Sequence, residues 1–179
     1  MSRKLTVVPW FAVAVFLAWT GSLPAAAQTG GDLLRQAGIT GGVIVCLGCD
    51  RPALLAELQP DEHALVQGLD TDRQTVARTR RRLQETGRYG TVSADTWNGE
   101  TLPYTDNLIN LLVAAEPEKA ARGELMRVLA PNGVLLEKRG DRWARTIKPW
   151  PDALDEWTHY LHGPDGNPVA DDTAVGPPE

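Results

Sequence analysis

Three residues whose types suit ligand binding stand at the ends of apolar segments in the first half of the chain: Gly48, Asp70 and Asp95. A glycine lets a ligand approach the backbone closely, because no Cβ stands in the way. The two carboxylates can accept hydrogen bonds from hydroxyl and amino groups. Asp50 and Thr71 follow closely and are included in the predicted site. The pattern predicts one binding site, provided that the three segments lie side by side.

The segments that must position these residues alternate between strand and helix patterns. A continuous apolar run predicts a buried strand over 43–47, and further strands are predicted over 63–69, 108–114 and 134–138, with a weaker one over 91–94. Helices are predicted over 32–37, 52–58, 72–85 and 117–129, with a turn at 130–133 and an extended arm over 142–149. Strands separated by helices predict an α/β fold with a parallel sheet, whose ligands bind at the carboxyl ends of the strands.

The N-terminus has the pattern of a secretory signal peptide over residues 1–27: a basic start, an apolar core and an Ala-x-Ala end. An uncleaved anchor is the alternative, although the apolar core is short for a membrane span. Cleavage would remove Arg3 and Lys4 and no acids, which takes the net charge from −5 to −7. We therefore predict an exported protein without a stable membrane span. The acidic balance argues against nucleic-acid binding.

Five sequence strings carry a resemblance to a known family. They are Val43-Ile-Val-Cys-Leu-Gly-Cys-Asp50, Gln67-Gly-Leu-Asp-Thr-Asp72, Ser93-Ala-Asp95, Leu102-Pro-Tyr-Thr-Asp-Asn-Leu-Ile-Asn-Leu-Leu-Val113 and Glu124-Leu-Met-Arg-Val-Leu-Ala-Pro-Asn-Gly-Val134. In this order and spacing they resemble the class I S-adenosylmethionine-dependent methyltransferases of the methyltransferase type 11 kind. The resemblance implies a Rossmann-like, doubly wound, mainly parallel sheet of order 3-2-1-4-5 with helices on both faces.

The resemblance also implies a function and a cofactor. A methyltransferase-like domain over 28–140 would bind S-adenosylmethionine, with Asp70 accepting hydrogen bonds from the ribose and Asp95 from the adenine amino group. Gly48, Asp50 and Thr71 belong to the same cofactor site, and Asp50 would partner the positive charge of the cofactor. The alternative is that Asp70 only caps the helix that begins near residue 72. No methyl acceptor and no catalytic base are assigned.

A narrower resemblance concerns the end of the chain, residues 141–179. Lys148-Pro-Trp-Pro151, Asp155-Glu-Trp-Thr-His-Tyr-Leu-His162 and Val175-Gly-Pro-Pro178 resemble the junction in exported bacterial proteins where a methyltransferase-like domain precedes a β-propeller. That propeller is of the pyrroloquinoline-quinone-binding type. This resemblance implies that residues 141–179 form an extension toward a C-terminal propeller domain.

The loop over residues 48–52, called the glycine loop below, departs from the family pattern. Cys49-Asp-Arg-Pro52 follows Gly48, where the family has further glycines, and Pro52 lacks an N–H for a ligand. Losing about two hydrogen bonds to a charged group costs about 3–6 kcal/mol, or roughly two to four decades of affinity. S-adenosylmethionine is also a cytosolic metabolite, whereas the chain carries an export signal. A non-catalytic exported scaffold domain is therefore the alternative function.

Two further clusters have residue types that could form a chemical site. Cys46 and Cys49 have the Cys-x-x-Cys spacing of a redox site or disulfide, but a buried Cys46 acting as a small apolar residue is the simpler interpretation. Asp155, His159 and His162 share one face of a predicted helix and could bind a transition metal, yet no fourth ligand is assured. The prediction is no metal site.

Overall fold

The computed structural model describes residues 28–153 and the single positions 155, 160, 164, 166 and 169. The predicted signal peptide, His159 and His162 lie outside these residues. The helices are α1 (Gly30–Ala37), α2 (Pro52–Glu57), α3 (Arg73–Glu85) and α4 (Arg122–Val128), with a 3-10 helix at Pro117–Lys119. The strands are β1 (Gly42–Leu47), β2 (Ala64–Asp70), β3 (Val92–Thr96), β4 (Ile109–Ala114), β5 (Leu129–Arg139) and β6 (Arg142–Ile147).

The six strands form one sheet in the order β3-β2-β1-β4-β5-β6. All neighbouring pairs are parallel except β5 and β6, which are antiparallel. The predicted α/β fold class and the order 3-2-1-4-5 are confirmed. The sixth strand comes from the predicted extended arm, so the sheet continues past residue 140 into the segment that was assigned to the extension.

Both faces of the sheet are covered. On one side of the sheet, the first face, the first core cluster joins α1, α2 and α3 to side chains such as Ile44, Val66 and Val113. On the other side, the second face, the second core cluster joins α4 to side chains such as Val45, Leu69 and Leu112. Because successive side chains of a strand point to opposite faces, the central strands are buried on both sides. Within the described residues, no helix is both long enough and apolar enough to span a bilayer.

The close approach of α2 to the sheet depends on Gly68. A Cβ at this position would lie 2.7 Å from Leu55 Cδ1 and 2.8 Å from Cys49 Cβ. The glycine therefore lets α2 and the loop before it pack directly on β2, and this packing brings the loop beside the carboxyl end of the strand.

The predicted helix over 117–129 is wrong in part. It is divided into the 3-10 helix and α4, because Ala120 and Ala121 have extended backbone angles between them. Alanine by itself favours a helix, so the local sequence does not indicate a break at these two residues. Ala120 is buried in the second core cluster at this break, and tertiary packing overrides the propensity.

Two local details also differ from prediction. The predicted turn at 130–133 lies within β5, where Asn132 has a φ of +62° and the β4–β5 register shifts between Ile109 and Leu111. Asparagine tolerates the left-handed region, so the backbone bends without leaving the sheet. Asp50 precedes α2 and is a capping residue by type, but the N-cap is Arg51 and no side chain caps the helix.

A loop covers the second face between β3 and β4, and Arg127 of α4 fastens it. The Arg127 Nη1 donates to the Tyr104 carbonyl at 3.0 Å and pairs with Asp106, while Nε donates to Glu124 Oε2 at 2.8 Å. Glu124 in turn accepts from the Leu102 N–H at 2.7 Å. Loop and helix are thus held by one hydrogen-bonded network.

Replacing Arg127 by methionine should loosen this loop while the sheet stays folded. Methionine keeps the apolar stem but removes every donor, so residues 102–106 lose their bonds to Arg127 and keep the one that the Leu102 N–H makes with Glu124. We expect faster amide exchange and faster proteolysis confined to 98–107, measured by hydrogen-exchange mass spectrometry. Arg81→Met, an exposed substitution on α3, is the control. Unchanged exchange in Arg127→Met would contradict the assignment.

Candidate functional site

The strand register places the predicted site residues at adjacent strand ends. Leu47 of β1 is the partner of Leu69 in β2, and Leu69 is the partner of Asp95 in β3. The Gly48 N–H continues this pairing by donating to the Leu69 carbonyl at 2.8 Å. Gly48 and Asp70 therefore lie side by side just beyond the paired residues, and Asp95 lies one strand further out.

Gly48 leaves room above the end of β1. Its φ is +91°, a left-handed value that side-chain-bearing residues rarely adopt. Apart from its chain neighbours, a Cβ built there would meet only Glu116 Oε1, at 3.9 Å, among the described residues. The glycine is thus required by the backbone turn rather than by a crowded neighbour, and the space next to it is open to a ligand.

Asp70 connects the glycine loop to the start of α3. Its Oδ2 accepts from the Cys49 N–H at 3.3 Å, and its Oδ1 accepts from the Asp72 N–H at 3.0 Å. The side chain is buried, with 7% of its surface exposed. The cap of α3 is Asp72, which accepts from the N–H groups of Gln74 and Thr75. A carboxylate has about four acceptor sites, so Asp70 keeps capacity for a ligand.

Asp95 is exposed near the outer edge of the sheet. Its register partner Leu69 belongs to the second core cluster, so Asp95 and Asp70 stand on opposite sides of the sheet plane. Arg80 reaches around the edge strand and pairs with Asp95 Oδ1 at 2.8 Å. A ligand that uses both acids has to straddle the strand ends, as dinucleotides do in open α/β sheets.

Tyr104 packs against the second core cluster, close enough to Asp95 for its charge to act on the phenol. Its hydroxyl donates to Gln67 Oε1 at 2.8 Å. Burial, and then the negative charge of Asp95, raise the pKa of Tyr104 well above its ordinary range. The hydroxyl is therefore a permanent donor. Sequence reasoning missed this pair, because 37 positions separate the two residues.

Sequence reasoning also missed Lys119, which lies beside the site. Its Nζ pairs with Glu116 Oε2 at 3.0 Å. The hydrogen bond with Glu116 raises the pKa of Lys119, and the charges of Asp70 and Asp50 raise it further, whereas partial burial opposes the shift. One ammonium thus neutralises part of a group of three carboxylates. The i,i+3 spacing of Glu116 and Lys119 directly after β4 was the available signal.

Asp50 and Thr71, the remaining predicted site residues, are both exposed. Asp50 follows Gly48 and Cys49, and its charge acts on Lys119. Thr71 Cγ2 would lie 3.4 Å from a Cβ built on Gly99, in the loop after β3. Both residues therefore border the strand ends, with Asp50 toward β4 and Thr71 toward β3.

Pro52 lies at the first turn of α2 and lines two cavities, of about 520 Å³ and about 260 Å³. Neither cavity is lined by Gly48, Asp70 or Asp95, and both border α3 on the first face of the sheet. These two cavities are therefore separate from the strand ends that hold Gly48, Asp70 and Asp95.

The two cysteines are free thiols, and both are buried. Burial is the main cause that raises the pKa of Cys46 to about 12 and that of Cys49 to about 11. Both thiols are therefore protonated at neutral pH, which disfavours thiolate chemistry. Across residues 28–153 and the five later positions, no three His, Cys, Asp or Glu side chains are grouped for a metal ion.

Comparison with solved structures shows what this fold is similar to. A putative S-adenosyl-L-methionine-dependent methyltransferase from Methanococcus maripaludis matches with a TM-score of 0.51 and 15% identity, over 60% of this chain and 52% of that one. A SAM-dependent methyltransferase from Aquifex aeolicus matches with a TM-score of 0.52 and 18% identity, over 63% and 67%. Geranyl diphosphate C-methyltransferase from Streptomyces coelicolor gives 0.52 and 16%, over 60% and 42%.

These likenesses establish a Rossmann-like fold of the methyltransferase type. The chain spans about half the length of the first of these structures. No protein-family model and no curated protein matches the sequence.

Proposed function

We propose that this domain binds S-adenosylmethionine at the carboxyl ends of β1, β2 and β3 and is methyltransferase-like. The observation that carries the proposal is the open backbone at Gly48 directly beside the Asp70 carboxylate. A nucleoside needs both a close approach to the backbone and acceptors for its hydroxyl groups. The methyltransferase neighbours share the fold that brings such groups together, which supports the proposal.

The charges at the strand ends suit the cofactor. Asp70 would hold the ribose, and Asp95 the adenine amino group. Asp50 and Glu116 would face the ammonium and sulfonium charges, since both act on the Lys119 ammonium in the same region. The bound cofactor supplies a methyl group on a positively charged sulfur, and holding two reactants in place supplies much of the rate of such transfers.

One observation favours a second candidate, a non-catalytic scaffold. The backbone N–H of Cys49 already donates to Asp70, and Pro52 has no N–H at the start of α2. The glycine loop thus offers few free donors to a carboxylate. The export signal over residues 1–27 and the propeller junction in the tail belong to this second proposal, and both rest on sequence patterns.

Calorimetric titration of the 179-residue chain with S-adenosylmethionine and S-adenosylhomocysteine tests the first proposal. We expect saturable binding of both ligands with a 1:1 stoichiometry. Protection of amides in 48–50 and 70–72, measured by hydrogen exchange in the same solution, would locate the ligand. Absence of binding at millimolar ligand would reject cofactor use and favour the scaffold.

Lys119→Met should raise the affinity for S-adenosylmethionine more than the affinity for S-adenosylhomocysteine. S-adenosylmethionine carries one more positive charge than S-adenosylhomocysteine, and the substitution removes a competing ammonium from among three carboxylates. We expect about three- to tenfold tighter binding of S-adenosylmethionine and less than about twofold change for S-adenosylhomocysteine, which is the scale of charge interactions near a protein surface. Calorimetry measures both.

Arg81→Met removes one positive charge from the exposed face of α3 and is the matched control for Lys119→Met. It should leave both affinities unchanged. Weaker binding of both ligands by Lys119→Met would instead mean that Lys119 contacts the carboxylate of the cofactor.

A further inference from the structure

A groove between α2 and α3 lies apart from the strand ends and has a composition of its own. Its volume is about 520 Å³, within the usual range of small-molecule sites. Side chains of Pro52, Ala53, Leu54 and Leu83 line it, and Leu54 and Leu83 are buried beneath it. The groove therefore offers an apolar floor to an elongated ligand.

Three arginines also line this groove: Arg51, Arg82 and Arg88. Of these, Arg82 pairs with the exposed Glu85 at 3.3 Å, a contact that contributes little at the surface. The structure gives Arg51 and Arg88 no ion pair within its described residues. The groove is thus locally basic on a chain whose net charge is −5.

Among the described residues that line the groove, Glu57 is the one with a carboxylate, and this group is already engaged. Its Oε2 accepts from the Gly30 N–H at 2.8 Å, at the first turn of α1. A Cβ on Gly30 would lie 2.6 Å from Glu57 Cβ, so α1 and α2 are in close contact at this point. Glu57 is therefore fixed at one end of the groove, which leaves the three arginines to set the sign of its charge.

We propose that this groove is a binding site for an amphiphilic anion, a ligand with an apolar chain and a carboxylate head. The apolar chain lies on Ala53, Leu54 and Leu83, and the head pairs with Arg82 and Arg51. Arginine suits this role because its planar fork can hold a carboxylate through two hydrogen bonds. A second cavity of about 260 Å³ shares Pro52 and Arg82 and extends the groove toward Asp50.

Decanoate below its micellar concentration is the probe, titrated into the full 179-residue chain by calorimetry and by amide NMR. We expect 1:1 binding, with shifts concentrated at 51–57 and 82–88. Decyltrimethylammonium and decanol, which keep the chain but change the head, should bind at least about tenfold more weakly. Equal binding of decanol would overturn the anionic assignment, and so would shifts located elsewhere.

Variants separate this groove from a general basic surface. Arg82→Gln and Arg51→Gln should each weaken decanoate about five- to tenfold, the scale of one partly exposed charged contact. Arg81→Gln loses the same charge from α3 outside the groove and should change nothing. Ala53→Trp, at an exposed position, should fill the groove and abolish binding. Retained binding in Ala53→Trp, or equal losses in Arg81→Gln and Arg82→Gln, would overturn the proposal.

Discussion

Replacing Gly133 by alanine is expected to lower the free energy of unfolding by about 2–4 kcal/mol. A Cβ on Gly133 would lie 2.7 Å from the Ala130 carbonyl oxygen and 2.8 Å from that of Ile109. Both atoms belong to the backbone at the register shift between β4 and β5. Neither can move away without loss of strand pairing, so the strain cannot be relieved by a side-chain rotation. Urea unfolding followed by circular dichroism measures the change.

Gly123 is the matched control for this substitution. It lies in the exposed first turn of α4, and a Cβ there would meet nothing within 4 Å. Gly123→Ala should therefore stabilise the protein by about 0.4–1 kcal/mol, because alanine restricts the unfolded chain. A cost below about 1 kcal/mol for Gly133→Ala would show that the β4–β5 bend yields easily, and the close contacts would then not be structural constraints.

The alternation of strands and helices was predictable because the central strands are mainly apolar. Val43 to Leu47 is a continuous apolar run, and residues 108–114 are apolar except for Asn110, which is the pattern of strands buried on both sides. The sixth strand was harder to predict, since residues 142–147 alternate only partly between half-buried and exposed and none of them is fully buried. Its place beside β5 depends on pairing across a two-residue turn, and the arm alone does not specify a partner.

The bend in β5 and the break before α4 show a different limit. Pro131, Asn132 and Gly133 are turn residues by type, yet here they bend a strand that continues on both sides. Local chemistry predicts the change of backbone direction at residues 131–133, but not the break before α4, where two alanines favour a helix. Tertiary contacts decide whether a turn or a bulge results. Here these are the pairing with β4 at Ile109 and the packing of the second core cluster.

The candidate site could be predicted as far as strand ends define it. Gly48, Asp70 and Asp95 each follow from one strand, and parallel pairing brings strand ends to one edge. The opposite orientation of the two acids needed the register, which shifts every side chain to the other face when it slips by one residue. Lys119 was not predictable in the same way, because its place depends on where the chain turns after β4.

The strand ends therefore combine two kinds of group. Asp70 is fixed by backbone N–H donors from the glycine loop and from α3, so its position is set before any ligand arrives. Three more exposed residues set the charge around these strand ends: Asp50, Glu116 and Lys119. In a site of this kind, Asp70 fixes the position of the ligand. The exposed charges of Asp50, Glu116 and Lys119 discriminate between ligands of different charge.

Asp70→Asn is accordingly expected to reduce the affinity for S-adenosylmethionine and S-adenosylhomocysteine by about 100-fold or more. Two hydrogen bonds to a charged group contribute about 3–6 kcal/mol, which corresponds to two to four decades. Asparagine has one acceptor oxygen, so it cannot accept from both Cys49 and Asp72 and also hold a ribose. Both ligands carry the same ribose, so calorimetry should record parallel losses.

Controls at two other acids show whether this loss belongs to the ribose contact. Asp95→Asn keeps the shape of an exposed residue that would make one hydrogen bond, so about tenfold weaker binding is expected. Asp106→Asn disturbs only the pair with Arg127 and should leave affinity unchanged. Thermal melts separate an unstable Asp70→Asn from a folded one that no longer binds. Affinity within about threefold of the parent, in a folded Asp70→Asn, would exclude Asp70 from the ligand and end the case for a ribose at this strand end.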